Sequence, residues 1–165
     1  MYDFQPDTQI DPVERYRQLR DAADALTSGE TDAVANMANI AALLWEFLPD
    51  LNWAGFYRMA TNSEGQGELV LGPFVGRPAC IRIPLGQGVC GAAASQAATQ
   101  LVEDVHAFPG HIACDSASRS ELVVPVERGG KVIAVIDLDS PTRGRFGRED
   151  ANGIEQLARM LSDRI

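Results

Sequence analysis

The sequence lacks an apolar run long enough to cross a bilayer, because a spanning helix needs about 20 consecutive apolar residues. Its first residues, MYDFQ, supply neither the basic segment nor the apolar segment of a secretory signal peptide. Hydrophobic residues make up 45% of the 165 residues and charged residues 22%, a balance typical of globular domains. We therefore expect no membrane association and a cytoplasmic location, in which cysteines remain reduced.

Positive charge is also scarce. Lys and Arg total 14 against 23 Asp and Glu, which gives a formal net charge of -9. Proteins that bind nucleic acid concentrate Lys and Arg on one surface to neutralise phosphates. The composition therefore argues against a nucleic-acid partner.

Hydrophobic periodicity and turn residues predict an α+β fold, with a mostly antiparallel central sheet sandwiched by helices. The predicted helices span 11–29, 31–48, 89–98 and 148–164. The predicted strands span 52–59, 68–74, 79–83, 100–104, 121–126 and 131–138. We assign residues 1–10 to an N-terminal extension and residues 11–165 to a single domain, which is long enough to bury a good core.

The last predicted hairpin brings acidic side chains together. A two-residue Gly-Gly turn would mix apolar and acidic residues on both faces, whereas a three-residue Arg-Gly-Gly loop leaves one face wholly apolar. The three-residue loop is therefore predicted, and it pairs Glu121 with Asp137 and places Asp139 beside them. The predicted floor beneath this acidic cluster consists of Val123, Ile133 and Val135.

The acidic cluster has two interpretations. Three neighbouring carboxylates can hold a cationic ligand, or can keep one carboxyl protonated as a general acid. Alternatively, acids at the end of a strand simply face water. Nearby thiols favour the functional interpretation.

The three cysteines, Cys80, Cys90 and Cys114, contain no C-x-x-C pair. Their odd number disfavours a purely structural disulfide framework and suits redox chemistry in which one thiol attacks and others resolve. His106 and His111 could join Cys114 in a metal site, but zinc ligands generally come in closer pairs, so no metal centre is predicted. The histidines are instead expected to hydrogen-bond locally or to raise the thiolate fraction of Cys114, unless they are solvated loop residues without a role.

A glycine pattern in this region superficially matches a dinucleotide-binding fingerprint. Gly86, Gly88 and Gly91 follow G-x-G-x-x-G, but that fingerprint requires a βαβ unit, and this segment lies within an antiparallel pattern. We therefore predict no dinucleotide site and no cofactor. The glycines are expected to shape the helix start around Cys90.

Two aromatic residues of the first strand are candidates for a pocket wall. Trp53 and Tyr57 share one face of the strand because side chains alternate along it. They could equally belong to an ordinary aromatic core, which is the commoner case.

At these residues the chain resembles the free methionine-(R)-sulfoxide reductases, which are built on a GAF domain. The similarity covers most of the chain and is most specific in the segment that ends with Cys114. The matching segments are 52–57 (NWAGFY), 72–83 (GPFxGxPACIRI), 88–91 (GVCG), 102–115 (VEDVHAFPGHIACD), 120–121 (SE) and 137–141 (DLDSP).

The resemblance implies a single GAF-like domain and a division of labour among the cysteines. Cys114 would attack the sulfur of free L-methionine-(R)-sulfoxide and become a sulfenic acid. Cys80 or Cys90 would then form an intramolecular disulfide, which thioredoxin would reduce. The order in which the two resolving cysteines act stays open.

The resemblance also gives roles to the remaining site residues. One of Glu121, Asp137 and Asp139 would protonate the sulfoxide oxygen, and the same carboxylates would pair with the substrate ammonium group. Trp53 and Tyr57 would cover the methylthio end. A homodimer is expected for this kind of domain. The alternative function is a GAF sensor that binds a small ligand without catalysis.

Overall fold

The computed structural model of the chain describes residues 10–110 and 116–165, which form four α-helices and six β-strands. Every predicted helix and strand is present, with ends shifted by a few residues. The helices are α1 (Pro12–Thr27), α2 (Ala33–Phe47), α3 (Gly88–Gln96) and α4 (Arg148–Leu161). The strands are β1 (Trp53–Thr61), β2 (Gly67–Gly76), β3 (Arg82–Pro84), β4 (Gln100–Val102), β5 (Ser120–Arg128) and β6 (Lys131–Ser140).

The first two helices begin at acidic residues that cap their free amide groups. The Asp11 carboxylate accepts a hydrogen bond from the Val13 amide at 2.9 Å, and Asp32 accepts one from the Ala35 amide at 2.8 Å. The longest helix, α1, has 16 residues. Within residues 10–110 and 116–165, no helix has both the length and the apolar character needed to cross a membrane.

The strands form one antiparallel sheet in the order β3-β2-β1-β6-β5-β4. The larger core lies between one sheet face and helices α1, α2 and α4, and it contains Phe56. The smaller core lies beneath α3 on the opposite face, and it contains Trp53 and Tyr57. The sandwich predicted from the sequence is therefore confirmed, and the alternation along β1 decides which aromatic residue faces which core.

The β5–β6 hairpin does not have the predicted three-residue loop. Gly129 and Gly130 form a two-residue turn with φ of +59° and +74°, and Arg128 pairs with Lys131. This turn requires positive φ at both central positions, which glycine adopts without strain. A register shift follows at once, because Val126 pairs with Ala134 whereas Glu127 pairs with Val132. The residue between those partners is the extra residue of a β-bulge.

The bulge corrects two details of the predicted acidic cluster. Glu121 pairs with Asp139 instead of Asp137, which lies opposite Val123. Ile133 is the extra residue of the bulge, so Ile133 packs against the larger core, whereas Val132 packs against the smaller core on the α3 face. Because the observed register differs from the predicted one by two residues, the acids still share the α3 face, as predicted.

Candidate functional site

A pocket of about 40 Å³ lies between the α3 face of the sheet and the residues around α3. Six predicted site residues line it: Trp53, Tyr57, Cys90, Glu121, Asp137 and Asp139. They belong to β1, α3, β5 and β6, so only the folded sheet brings them together. Cys114 and His111 lie outside the described residues.

The aromatic wall of the pocket is rigidly held. The Trp53 ring stacks on Tyr57, at a centroid distance of 5.8 Å, and on Phe74, at 5.2 Å. The Trp53 indole N–H donates to the Arg77 carbonyl oxygen at 3.1 Å, and the Tyr57 hydroxyl donates to the Cys80 carbonyl oxygen at 3.0 Å. These hydrogen bonds and ring contacts hold the Trp53 and Tyr57 side chains in their orientation at the pocket.

The carboxyl groups of Glu121 and Asp137 are buried, with only 7% and 5% of each residue exposed. Desolvation raises the pKa of Asp137 to about 7 and raises the pKa of Glu121 well above its usual value. For Glu121, the neighbouring charges of Asp137 and Asp139 raise the pKa further. The alternative that the strand-end acids simply face water is wrong for Asp137, which is buried, whereas Asp139 is half-buried. Near neutral pH the pair of Glu121 and Asp137 retains a proton.

Cys90 lies in the first turn of α3, beside the same carboxyls. Its thiol donates to the Glu121 Oε1 atom across 3.9 Å. Burial, followed by the charges of Asp137 and Glu121, raises the pKa of the Cys90 thiol well above its ordinary value. A helix N-terminus alone would favour the thiolate, but desolvation outweighs that effect here, so Cys90 is a poor nucleophile.

The backbone around Cys90 depends on the glycines of the rejected fingerprint. Gly88 has a φ of +62°, which favours glycine. A Cβ atom on Gly91 would lie 2.5 Å from the Pro84 carbonyl oxygen, well inside contact distance. These glycines therefore allow the helix start to approach the strand, as predicted from the sequence.

Cys80 differs from Cys90 in both redox state and surroundings. Cys80 is disulfide-bonded, whereas Cys90 is a free thiol. Cys80 is half-buried in the segment between β2 and β3, next to the pocket-lining Pro78 and Ala79. This position gives Cys80 the access that thiol–disulfide exchange requires.

His106 lies in a 3-10 turn, Val105–Ala107, and is exposed. Its Nδ1 atom is 3.2 Å from the Asp104 Oδ1 atom, which also accepts the His106 backbone N–H at 3.0 Å. The prediction of local hydrogen bonding is confirmed for His106. His111 belongs to the residues that the structure leaves undescribed.

Sequence reasoning missed several residues of the site. Phe74 supports the Trp53 ring, and Arg77 and Ser118 line the pocket. The sequence did contain one signal for Phe74, because a glycine inside a strand, here Gly55, often marks the close approach of another segment. In the structure, a Cβ atom on Gly55 would lie 2.4 Å from the Phe74 Cβ atom. No signal locates Arg77 or Ser118, because both lie in loops between strands.

The sequence of this chain is similar to those of known proteins. Residues 30–165 match the GAF domain family. The protein YtsP of Bacillus subtilis (strain 168) is 50% identical over 151 residues, which are 92% of this chain and 91% of that protein. The free methionine-R-sulfoxide reductase of Escherichia coli (strain K12) is 48% identical over 152 residues, which are 92% and 89% of the two chains.

A solved structure extends the similarity to three dimensions. The X-ray structure of free methionine-R-sulfoxide reductase from Neisseria meningitidis, in complex with its substrate, matches with a TM-score of 0.91. The two chains are 42% identical, and the match covers 99% of this chain and 95% of that one. The similarity therefore includes all the elements that form the pocket.

Proposed function

This chain belongs to the free methionine-R-sulfoxide reductases, a family built on the GAF domain, and we propose that it reduces free L-methionine-(R)-sulfoxide to methionine through a cysteine sulfenic acid and a disulfide. The observation that carries this mechanism is the convergence of an aromatic wall and two buried carboxyl groups in one pocket, beside a disulfide-bonded cysteine. Each of these parts corresponds to one end of the substrate or one step of the reaction.

The attacking thiol is Cys114. The resemblance to the reductases supports this assignment, and Cys90 is a poor candidate because burial raises the pKa of its thiol. The Cys114 thiolate attacks the sulfoxide sulfur, the oxygen passes to the cysteine with a proton, and methionine leaves. The Cys114 sulfenic acid then condenses with a thiol, releasing water and forming a disulfide.

The acidic cluster supplies the proton and holds the substrate ammonium group. A sulfoxide oxygen is a poor leaving group unless it is protonated, and the pair of Glu121 and Asp137 retains a proton near neutral pH. Asp139, which is half-buried at the pocket, provides a further negative group for the ammonium. Trp53 and Tyr57 cover the methylthio end and select one sulfur epimer.

We expect the purified chain to consume free L-methionine-(R)-sulfoxide in the presence of dithiothreitol, as measured by chromatography of the released methionine. N-acetylmethionine sulfoxide is the matched control and should react poorly, because acetylation removes the ammonium charge that the carboxylates bind. A chain that binds the free sulfoxide but consumes neither epimer would instead be the small-ligand sensor.

We expect Cys80 to form the first disulfide with Cys114, because Cys80 is the accessible cysteine of the two resolving candidates. After one turnover without reductant, mass mapping should find the Cys80–Cys114 disulfide in the wild type and in Cys90→Ser. Cys80→Ser should still release one methionine per chain but should lose that disulfide. A Cys90–Cys114 disulfide in the wild type would contradict this assignment.

The reductant of the disulfide and the cellular compartment of the enzyme follow from this chemistry. We propose that thioredoxin reduces the disulfide, since a dithiol protein can attack the partly accessible Cys80 by exchange. We further propose a homodimer in the cytoplasm, where the resting thiols stay reduced. Turnover coupled to thioredoxin and thioredoxin reductase, and sedimentation of the purified chain, measure these two points.

A further inference from the structure

Three potential metal ligands meet in the pocket. The Cys90 Sγ atom and carboxylate oxygens of Glu121 and Asp137 all lie within 4.8 Å of one another. Zinc binds thiolate sulfur at about 2.3 Å and carboxylate oxygen at about 2.1 Å, so two ligands of one tetrahedral ion lie about 3.5 Å apart. The three side chains need to approach by only about 1 Å to share an ion.

The Asp137 carboxyl group is open to an additional ligand. Asp137 is 5% exposed, and its Oδ1 atom has no hydrogen-bond partner among residues 10–110 and 116–165. Such a buried, unpartnered oxygen is costly unless something binds it. Because Asp137 lines a pocket of about 40 Å³, an ion and one water can reach this oxygen, since a single ordered water needs only about 10–15 Å³.

The charge around these ligands also favours a cation. Across the described part of the chain, no Lys, Arg or His forms a salt bridge with Glu121 or Asp137. A substrate ammonium group can supply the missing positive charge, but it gains little from Cys90, because sulfur is a weak hydrogen-bond acceptor.

The thiol distinguishes between classes of cation. Free cysteine often serves as a small apolar core residue, yet Cys90 directs its Sγ atom at the Glu121 carboxyl across 3.9 Å. Magnesium and calcium select oxygen ligands, whereas zinc and cadmium favour sites that include a thiolate. Three protein ligands beside a pocket leave a fourth position open for water.

We propose that Cys90, Glu121 and Asp137 bind a thiophilic divalent cation of the zinc class, and that the bound cation excludes the free amino-acid substrate from the pocket. The exclusion rests on the proposed function, whereas the binding of the ion does not. On binding, the ion displaces into solvent both the thiol proton and the proton that the two carboxyl groups retain, and it takes the place of the substrate ammonium group.

Cadmium is a suitable probe because its bond to thiolate absorbs in the ultraviolet. In the full chain carrying Cys80→Ser and Cys114→Ser, Cys90 is the remaining cysteine, so any charge-transfer band reports on it. We expect a saturable band at one Cd²⁺ per chain, and calorimetry should give the same stoichiometry for Zn²⁺. Adding Cys90→Ser to this background should abolish the band.

The carboxylate ligands are tested in the same background. Asp137→Asn and, separately, Glu121→Gln should each weaken Cd²⁺ binding by at least about tenfold. Glu64→Gln, in the exposed β1–β2 loop, is the matched control and should leave the affinity unchanged. Circular dichroism identifies any variant that fails to fold. If the background variant itself does not fold, the Cd²⁺ titration uses the wild-type chain, in which Cys80 is disulfide-bonded and Cys90 is a free thiol.

Three outcomes separate this inference from the proposed function. Saturable binding together with competitive inhibition of sulfoxide reduction by Zn²⁺ supports the whole proposal. Absence of saturable Cd²⁺ binding, or equal affinity after both carboxylate substitutions, overturns the metal site even when the chain reduces the sulfoxide normally. Tight binding without any rise in the apparent KM for the sulfoxide overturns the exclusion of substrate.

Discussion

Replacing Cys114 with serine is expected to lower the rate of methionine release by at least about a thousandfold, as is usual when a catalytic nucleophile is lost. The physical reason is that neither remaining cysteine can take its place. The Cys90 thiol is buried with a raised pKa, and Cys80 is the resolving cysteine in the proposed reaction. Single-turnover mixing of reduced enzyme with free L-methionine-(R)-sulfoxide, without added reductant, measures this step directly.

The matched control for this experiment is Cys80→Ser. That variant also loses one thiol, but it keeps Cys114 and should release close to one methionine per chain before it stops. Full single-turnover activity in Cys114→Ser would show that another thiol attacks the sulfur. Loss of the burst in Cys80→Ser would show that Cys80 does more than resolve the sulfenic acid.

Replacing Asp137 with asparagine is expected to lower kcat/KM by at least about a hundredfold and to stabilise the fold at pH 8. The activity falls because a general acid contributes about 10²–10⁴ to a rate, and because the substrate ammonium loses a carboxylate. The stability rises because the amide is neutral, so the fold no longer buries this ionised group. Steady-state kinetics and urea unfolding of the same samples measure the two effects.

The pH dependence of stability tests whether the raised pKa of Asp137 causes this change in stability. Asp137 has a pKa raised to about 7 in the fold, whereas an unfolded aspartate has a pKa of about 3.9. Between these values the folded state binds more protons than the unfolded state, so the free energy of unfolding falls as pH rises. From pH 5 to pH 8 the free energy of unfolding of the wild type should fall by roughly 2–3 kcal/mol because of this group, and that of Asp137→Asn should fall less.

Asp163→Asn is the control for this pH comparison, because Asp163 is exposed near the C-terminus. It should reproduce the wild-type pH dependence and full reductase activity. If Asp137→Asn shows the same loss of stability between pH 5 and pH 8 as the wild type, the buried carboxyl does not have the raised pKa that the mechanism uses.

Sequence reasoning predicted the elements of the fold and that the acidic residues of β5 and β6 share one face of the sheet. Helix caps such as Asp11 and the alternation along β1 and β6 are local properties, so residue types and spacing suffice to find them. The pairing of Glu121 was wrong by two residues, because the bulge at Ile133 depends on the fit of two strands rather than on either one alone.

The sequence by itself determined which chemical groups this protein has: three cysteines without a C-x-x-C pair, a set of carboxylates with a shared strand face, and a composition poor in positive charge. The tertiary structure decided how those groups are divided. Burial between α3 and the sheet raises the pKa of both Cys90 and Asp137, whereas Cys80 stays partly accessible. A residue type is a local property, but desolvation depends on every element that packs around the group, and only the folded chain specifies those neighbours.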